Sequence, residues 1–192
     1  SLIWTTIASV DDEADGGWNK DITIPLNNDM GYLSYVYIRR NESSAGSSDT
    51  STTGGYLGCH GDGNALGTGE TLWVSTNGAV NGTVNDNPYF DSPPYDSLPV
   101  GVWCCIVGVI QAYTDANTSN ALGGGVYRMD TGQKIHSSTT YRMAENAVEQ
   151  RHRAFLYYSM GDASVSFWSP GFHAKDGSEP RLNELLGRRI VG

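Results

Sequence analysis

The sequence predicts an all-β fold, an antiparallel sandwich of the jelly-roll type, and three observations carry that expectation. Short runs rich in Val, Ile, Tyr and Trp recur along the chain between clusters of Gly, Asn, Asp and Ser, the punctuation of strands and turns. The composition, with 24 glycines and only 17% charged residues, departs from that of helical proteins. Residues 102–110 (VWCCIVGVI) are apolar at every position but one glycine, as in a central strand covered on both faces. At 192 residues the chain is sized for one domain, 1–192, with its own core.

The elements follow in order. Residues 2–10 and 21–26 are candidate first strands, separated by the acidic, glycine-ended turn DDEADGGWNK. Residues 31–40 (GYLSYVYIRR) combine aromatic and β-branched side chains suited to a pleated, half-buried surface. The serine- and threonine-rich stretch 41–55 has too little apolar surface to bury and reads as a long exposed loop. Strand character resumes at 54–60. Short strands follow at 71–76 and 88–90, around Asn77-Gly78 and Asn81-Gly82, dipeptides suited to the positive φ angles of hairpin turns. Residues 91–99 are a proline-rich connection to the central strand.

Beyond it, 123–129 and 133–137 flank Asp130-Thr131-Gly132 and read as a hairpin. Residues 151–158 and 165–172 are the last long strands. Only 179–186, with Pro180 placed for a first turn, predicts a helix.

The charge balance narrows the partners. Twelve Lys and Arg against 21 Asp and Glu leave a formal net charge of −9, a poor match to nucleic acid, whose binding draws on clustered cations. Neutral sugars stay open. The longest apolar run, 100–110, is about half of the ~20 residues a membrane-crossing helix needs, so membrane insertion is not expected. The chain opens Ser1-Leu2-Ile3-Trp4 without an initiator Met or a secretion signal, which predicts a fragment or processed product. Cys104 and Cys105 are adjacent and would face opposite sides of a strand. With Cys59 they read as buried reduced thiols, a bridge from Cys59 to one of them being the alternative.

Several groups of residues suggest chemistry. Asp11, Asp12, Glu13 and Asp15 offer hard oxygen ligands in one turn, a possible Ca²⁺ site although the spacing is not that of the helix-loop-helix calcium loop; a solvated acidic turn is the alternative. His60, His136, His152 and His173 are scattered and lack zinc-ligand spacing. The glycines of GCHGDGNALGTG match neither a phosphate loop nor a dinucleotide fingerprint, and there is no Gly-x-Ser-x-Gly elbow. A non-enzymatic protein is the expectation.

The aromatics are the better lead. Trp and Tyr faces stack on the apolar side of a pyranose while Asn, Asp, Arg and His bond its hydroxyls. Trp73, Tyr89 and Tyr95 lie in or beside turn-rich segments with Asn87, and His60 ends a strand at the mouth of a glycine-rich loop. These five are the candidate ligand-binding residues. Trp4, Trp103, Tyr35 and Tyr157 read as core. Arg151 and Arg153 share one strand face, with His152 on the other; pairing within the protein or at a subunit contact is the expected use of the two cations.

The ordered series YLGCH (56–60), NPYF (87–90), Trp103, TGQKI (131–135), QRHRAFLYY (150–158) and DGSEP (176–180) ahead of LNELL resembles a module of bacteriophage tail fibres and large bacterial surface proteins. The resemblance covers most of the chain. It implies a jelly-roll sandwich similar to carbohydrate-binding modules, displayed at a fibre tip on a virion or otherwise extracellular, binding a host cell-surface glycan as a homotrimer. A carbohydrate-binding module of a secreted polysaccharide-degrading enzyme and a purely structural virion domain are the alternatives. Sequons at Asn41, Asn81 and Asn117 would matter only in a eukaryotic secretory setting.

Overall fold

The computed structural model describes residues 3–7, 14–24, 29–41, 56–61, 72–76, 79–84, 89–91, 97–115, 123–138, 140–143, 149–157 and 164–188, in four of these (56–61, 72–76, 79–84 and 89–91) as backbone alone. The strands in chain order are β1 (Ile3–Ile7), β2 (Ala14–Thr23), β3 (Tyr32–Arg40), β4 (Tyr56–Gly61), β5 (Leu72–Thr76), β6 (Ala79–Val84), β7 (Tyr89–Asp91), β8 (Trp103–Gln111), β9 (Gly125–Arg128), β10 (Lys134–His136), β11 (Thr140–Met143), β12 (Glu149–Tyr157) and β13 (Ser164–Ala174). The one helix among the described residues is α1 (Leu182–Leu186).

The apolar run at 102–110 becomes β8, buried from Cys104 to Gln111. One edge of β8 pairs antiparallel with β3. Its other edge is shared: the first half pairs antiparallel with β9, and Val109 to Gln111 pair in parallel with β11. β8 thus stands where a nine-stranded sheet forks, along the order β1-β13-β3-β8-β11-β5-β6 with the β9–β10 hairpin branching off. A second sheet of four strands runs β2-β12-β4-β7. The chain changes sheet at every step from β1 to β5, and again between β6 and β7, β7 and β8, β11 and β12, and β12 and β13. Apart from β5–β6, β8–β9 and β9–β10, neighbours within a sheet are therefore separated in sequence, as in an all-β sandwich whose chain crosses repeatedly between layers.

Strand alternation gives the large sheet two buried faces. Val36, Ile38, Cys104, Ile106, Ile110, Val165 and Phe167 turn inward and share a core with Ala154 of β12 and Ile24 beyond β2. Leu33, Tyr35, Tyr37, Cys105, Val107, Val109 and Trp168 turn the other way and are covered by Leu185 of α1, with Leu182 and Leu186 packed against them. The sandwich thus carries a partial third layer. Tyr37 Oη donates to the Leu185 carbonyl at 2.8 Å, and the Arg181 amide donates to Glu184 Oε2 at 2.7 Å to close the first helical turn. Five residues are too few for a helix to persist in isolation, so packing onto the sheet is what holds α1. It begins after Pro180, later than the pattern 179–186 predicts.

Irregularities in the ladder decide which side chains face where. Between Trp168 and Gly171 of β13 the register against β3 slips by one residue, at Ser169, whose φ is +46°. The slip inverts the alternation. Phe167 is inward before it, whereas Phe172 packs on the inner core and His173 stacks on outward Tyr35, ring centroids 5.7 Å apart, after it. Gly171 lies against the Tyr35 ring with no room for a Cβ. In β2, three residue steps from Trp18 to Asp15 face two from Ala154 to Leu156, an extra residue at Gly16-Gly17. The segment 14–20 expected as a turn is therefore strand, its glycines accommodating a bulge. Likewise Asn81-Gly82, expected as a turn, lies within β6, where the pairing with β5 shifts between Trp73 and Val74.

Leu185→Ala should cost roughly 2–5 kcal/mol through the cavity left under α1, and Gly171→Ala should also destabilise by forcing the Tyr35 ring aside. Denaturant unfolding measures both, and equal stability of either variant with wild type contradicts the packing described.

His152 makes the fold sensitive to acid. It is 5% exposed between the sheets, with its ring centroid 5.9 Å from that of Phe172. Burial lowers its pKa to about 4, aided by nearby His173 and opposed by a hydrogen bond to the Tyr35 backbone. The unfolded chain takes up this proton near pH 6.5 while the folded protein resists until about pH 4, so stability falls as pH drops through that window. Between pH 7 and 4 the wild type is expected to lose roughly 3 kcal/mol more than His152→Gln, read from denaturation midpoints across that range.

Candidate functional site

Trp103 begins β8 at the rim of the large sheet, opposite Arg39 of β3. Its indole is partly buried, packed at the margin of the outer cluster, so the expectation of a core residue is corrected: the apolar run ends at the surface. The Arg39 guanidinium lies over the indole, 5.0 Å from the ring centroid, and Arg39 Nε donates to Asn41 Oδ1 at 3.1 Å. This cation–aromatic contact fixes the ring.

The β9–β10 hairpin supplies the opposite wall. The Met129 amide donates to the Trp103 carbonyl at 2.9 Å and the Gly132 amide to the Arg128 carbonyl at 2.9 Å, with Gly132 at φ +71°. This turn places Asp130 beside Arg128, which grips it in a fork: Nε to Oδ1 at 2.9 Å and Nη2 to Oδ2 at 2.6 Å. Those bonds hold the Asp130 carboxyl below the usual range and the Arg128 guanidinium above its own. Asp130 is thus an ionised acceptor, unsuited to donating a proton.

Together, Gly101, Val102, Trp103, Met129, Asp130 and Arg188 line an open recess of about 320 Å³. Arg188, just beyond α1, is steered into it by Tyr35: Nη1 donates to Tyr35 Oη at 3.1 Å, and the guanidinium sits 5.2 Å over that ring. Beside the recess Val100 is 45% exposed. An indole and a thioether flanked by a carboxylate and a guanidinium can take a pyranose, apolar face on the ring and hydroxyls on the charges.

A second recess of about 320 Å³ is lined by Leu33, Val107, Val109 and Leu185 together with Lys175 and Arg181. Its rim is the DGSEP turn, where Asp176 Oδ1 accepts from the Ser178 amide and hydroxyl at 2.9 and 2.6 Å. These bonds lower the Asp176 pKa. The Gly177 amide donates to Glu179 Oε2 at 2.7 Å.

The residues expected to bind ligand are distributed over both sheets. His60 lies in β4, paired with Arg151 of β12. Tyr89 lies in the adjacent β7, paired with Gly58 two residues from His60. Trp73 lies in β5 of the large sheet, opposite Arg142. The backbone thus gathers His60 and Tyr89 and sets Trp73 in the other sheet; Asn87, Tyr95 and the side chains of these three are outside the described residues. So is the acidic turn at Asp11, Asp12 and Glu13, while Asp15 is in β2 by its backbone. Among the described residues no group of three or more His, Cys, Asp or Glu is placed to hold a metal ion. Trp103, Asp130 and Arg188 were not among the expected residues. The one available signal was the Asp-Thr-Gly turn beside Arg128, a hairpin tip carrying charge.

Cys104 and Cys105 are buried free thiols facing opposite cores, as their adjacency predicts. Burial pushes the Cys104 thiol up to about 12 and Cys105 further in the same direction. In a Cys59→Ser variant, an aromatic disulfide reagent at pH 8 should therefore titrate no thiol in the native protein and both after denaturation; rapid native labelling contradicts this burial.

No protein-family model, curated protein or solved structure matches the chain.

Proposed function

We propose that the protein is a non-catalytic receptor-binding domain that recognises a cell-surface polysaccharide, as in a phage tail fibre or bacterial adhesin. The observation that carries this reading is the Trp103 recess, where a restrained indole meets a hydrogen-bonding rim of Asp130 and Arg188. The recess has the volume of a monosaccharide unit rather than a long cleft, and its one lining carboxylate among the described residues is committed to Arg128. Such a site grips weakly and without turnover. Three copies in a homotrimer would raise a weak single-site affinity into useful avidity. The sequence resemblance supplies the fibre-tip setting, and the sandwich supplies a rigid frame for the rim.

A glycan array probed with the folded domain, followed by titration calorimetry on the hits, tests the reading. Trp103→Leu and Asp130→Ala are each expected to weaken binding by about tenfold or more, the loss of one stacking or charged hydrogen-bonding contact. Trp73→Ala and Tyr89→Ala, made alongside, test the sites expected from sequence. Loss confined to those two moves the ligand to the β5 and β7 strands. An array with no binding by the folded domain removes the glycan reading.

A further inference from the structure

The charges around the Trp103 recess do not cancel. Arg128 and Asp130 neutralise one another through two short bonds. Among the described residues, Arg188 and Arg39 have no carboxylate in an ion pair. Arg39 is turned over the indole, while Arg188 lines the recess itself. On a chain of net charge −9, a guanidinium left without an acid partner at a binding recess stands against the overall field.

Arg188 is also held in a way that leaves its charge intact. Its Nη1 donates to the Tyr35 hydroxyl oxygen, and its guanidinium carbon lies 5.2 Å from the centroid of the Tyr35 ring. Tyr35 is in turn fixed by stacking on His173 and by the edge of Tyr37. Orientation thus comes from aromatic contacts, and the remaining N–H groups keep the planar fork that matches a carboxylate. A guanidinium can bond the hydroxyls of a neutral sugar, but only an acidic sugar would also neutralise its charge.

We propose that the saccharide bound here is acidic, its carboxylate paired with Arg188 while its ring lies on Trp103. This rests on the glycan-binding reading above and narrows it to polymers bearing uronic or sialic acid units.

The test uses matched ligands: trigalacturonate against its methyl ester, and sialyllactose against lactose, titrated into the intact domain. The acid member of at least one pair is expected to bind about tenfold more tightly, with that advantage shrinking as salt is raised. Arg188→Gln should reduce the ratio to about twofold or less, and Arg188→Lys, which keeps the charge but not the fork, should fall between. Melting temperatures of the two variants separate lost recognition from lost folding, the Lys variant serving where Gln unfolds. Equal binding of acid and neutral members, or an acid preference that survives both substitutions, overturns the inference and leaves the glycan reading in place. Binding of no saccharide by the folded domain removes both.

Discussion

The fold depends on the pairing of β3 with β8 and on the need to cover both of its faces. Eight successive residue pairs join these strands, from Tyr32 opposite Ile110 to Arg39 opposite Trp103. Their alternate side chains are apolar on each side. A sheet with one wet face would need only a second sheet; here the outer face carries Tyr35, Tyr37, Cys105, Val107 and Val109, which must also be kept from water. The C-terminal segment meets that need by laying α1 across them. In doing so it carries Arg188 to the rim, so core burial and site construction are one event.

Much of the architecture could be read from residue pattern. The uninterrupted apolar run of β8, the aromatic and β-branched β3, and the Asp-Thr-Gly turn between β9 and β10 each have a local physical cause that survives in the folded protein. Other parts are set by tertiary partners. β11 is four residues, Thr-Tyr-Arg-Met, too short and polar to stand out, and exists because β8 and β5 flank it. The acidic, glycine-bearing segment of β2 reads as a turn until β12 lies beside it.

The candidate site was less legible than the fold. Trp103 belongs to the most apolar stretch of the chain, and composition cannot tell the buried end of a strand from the rim. Arg188 is one of two adjacent arginines after a helix, a pattern with many solvated precedents, and only the Tyr35 ring beneath it distinguishes it. Aromatics in turn-rich segments, such as Trp73 and Tyr89, stand out in sequence because turn residues around them favour the surface. A recess made by strand end, hairpin tip and helix end has no contiguous trace.

The path of the chain between the two sheets has a further consequence for how the protein is made. Ile3 of β1 pairs with Trp168 of β13, and Thr23 of β2 with Glu149 of β12, so β1 and β2 find their partners about 125 to 165 residues later in the chain. A ribosome that has delivered β1 and β2 must go on through β12 and β13 before either can pair, while the β5–β6 and β9–β10 hairpins close locally. Such long-range closure slows folding and leaves strand edges open in the meantime. During synthesis, the wait falls on β1 and β2, and chaperone protection would be of most use there.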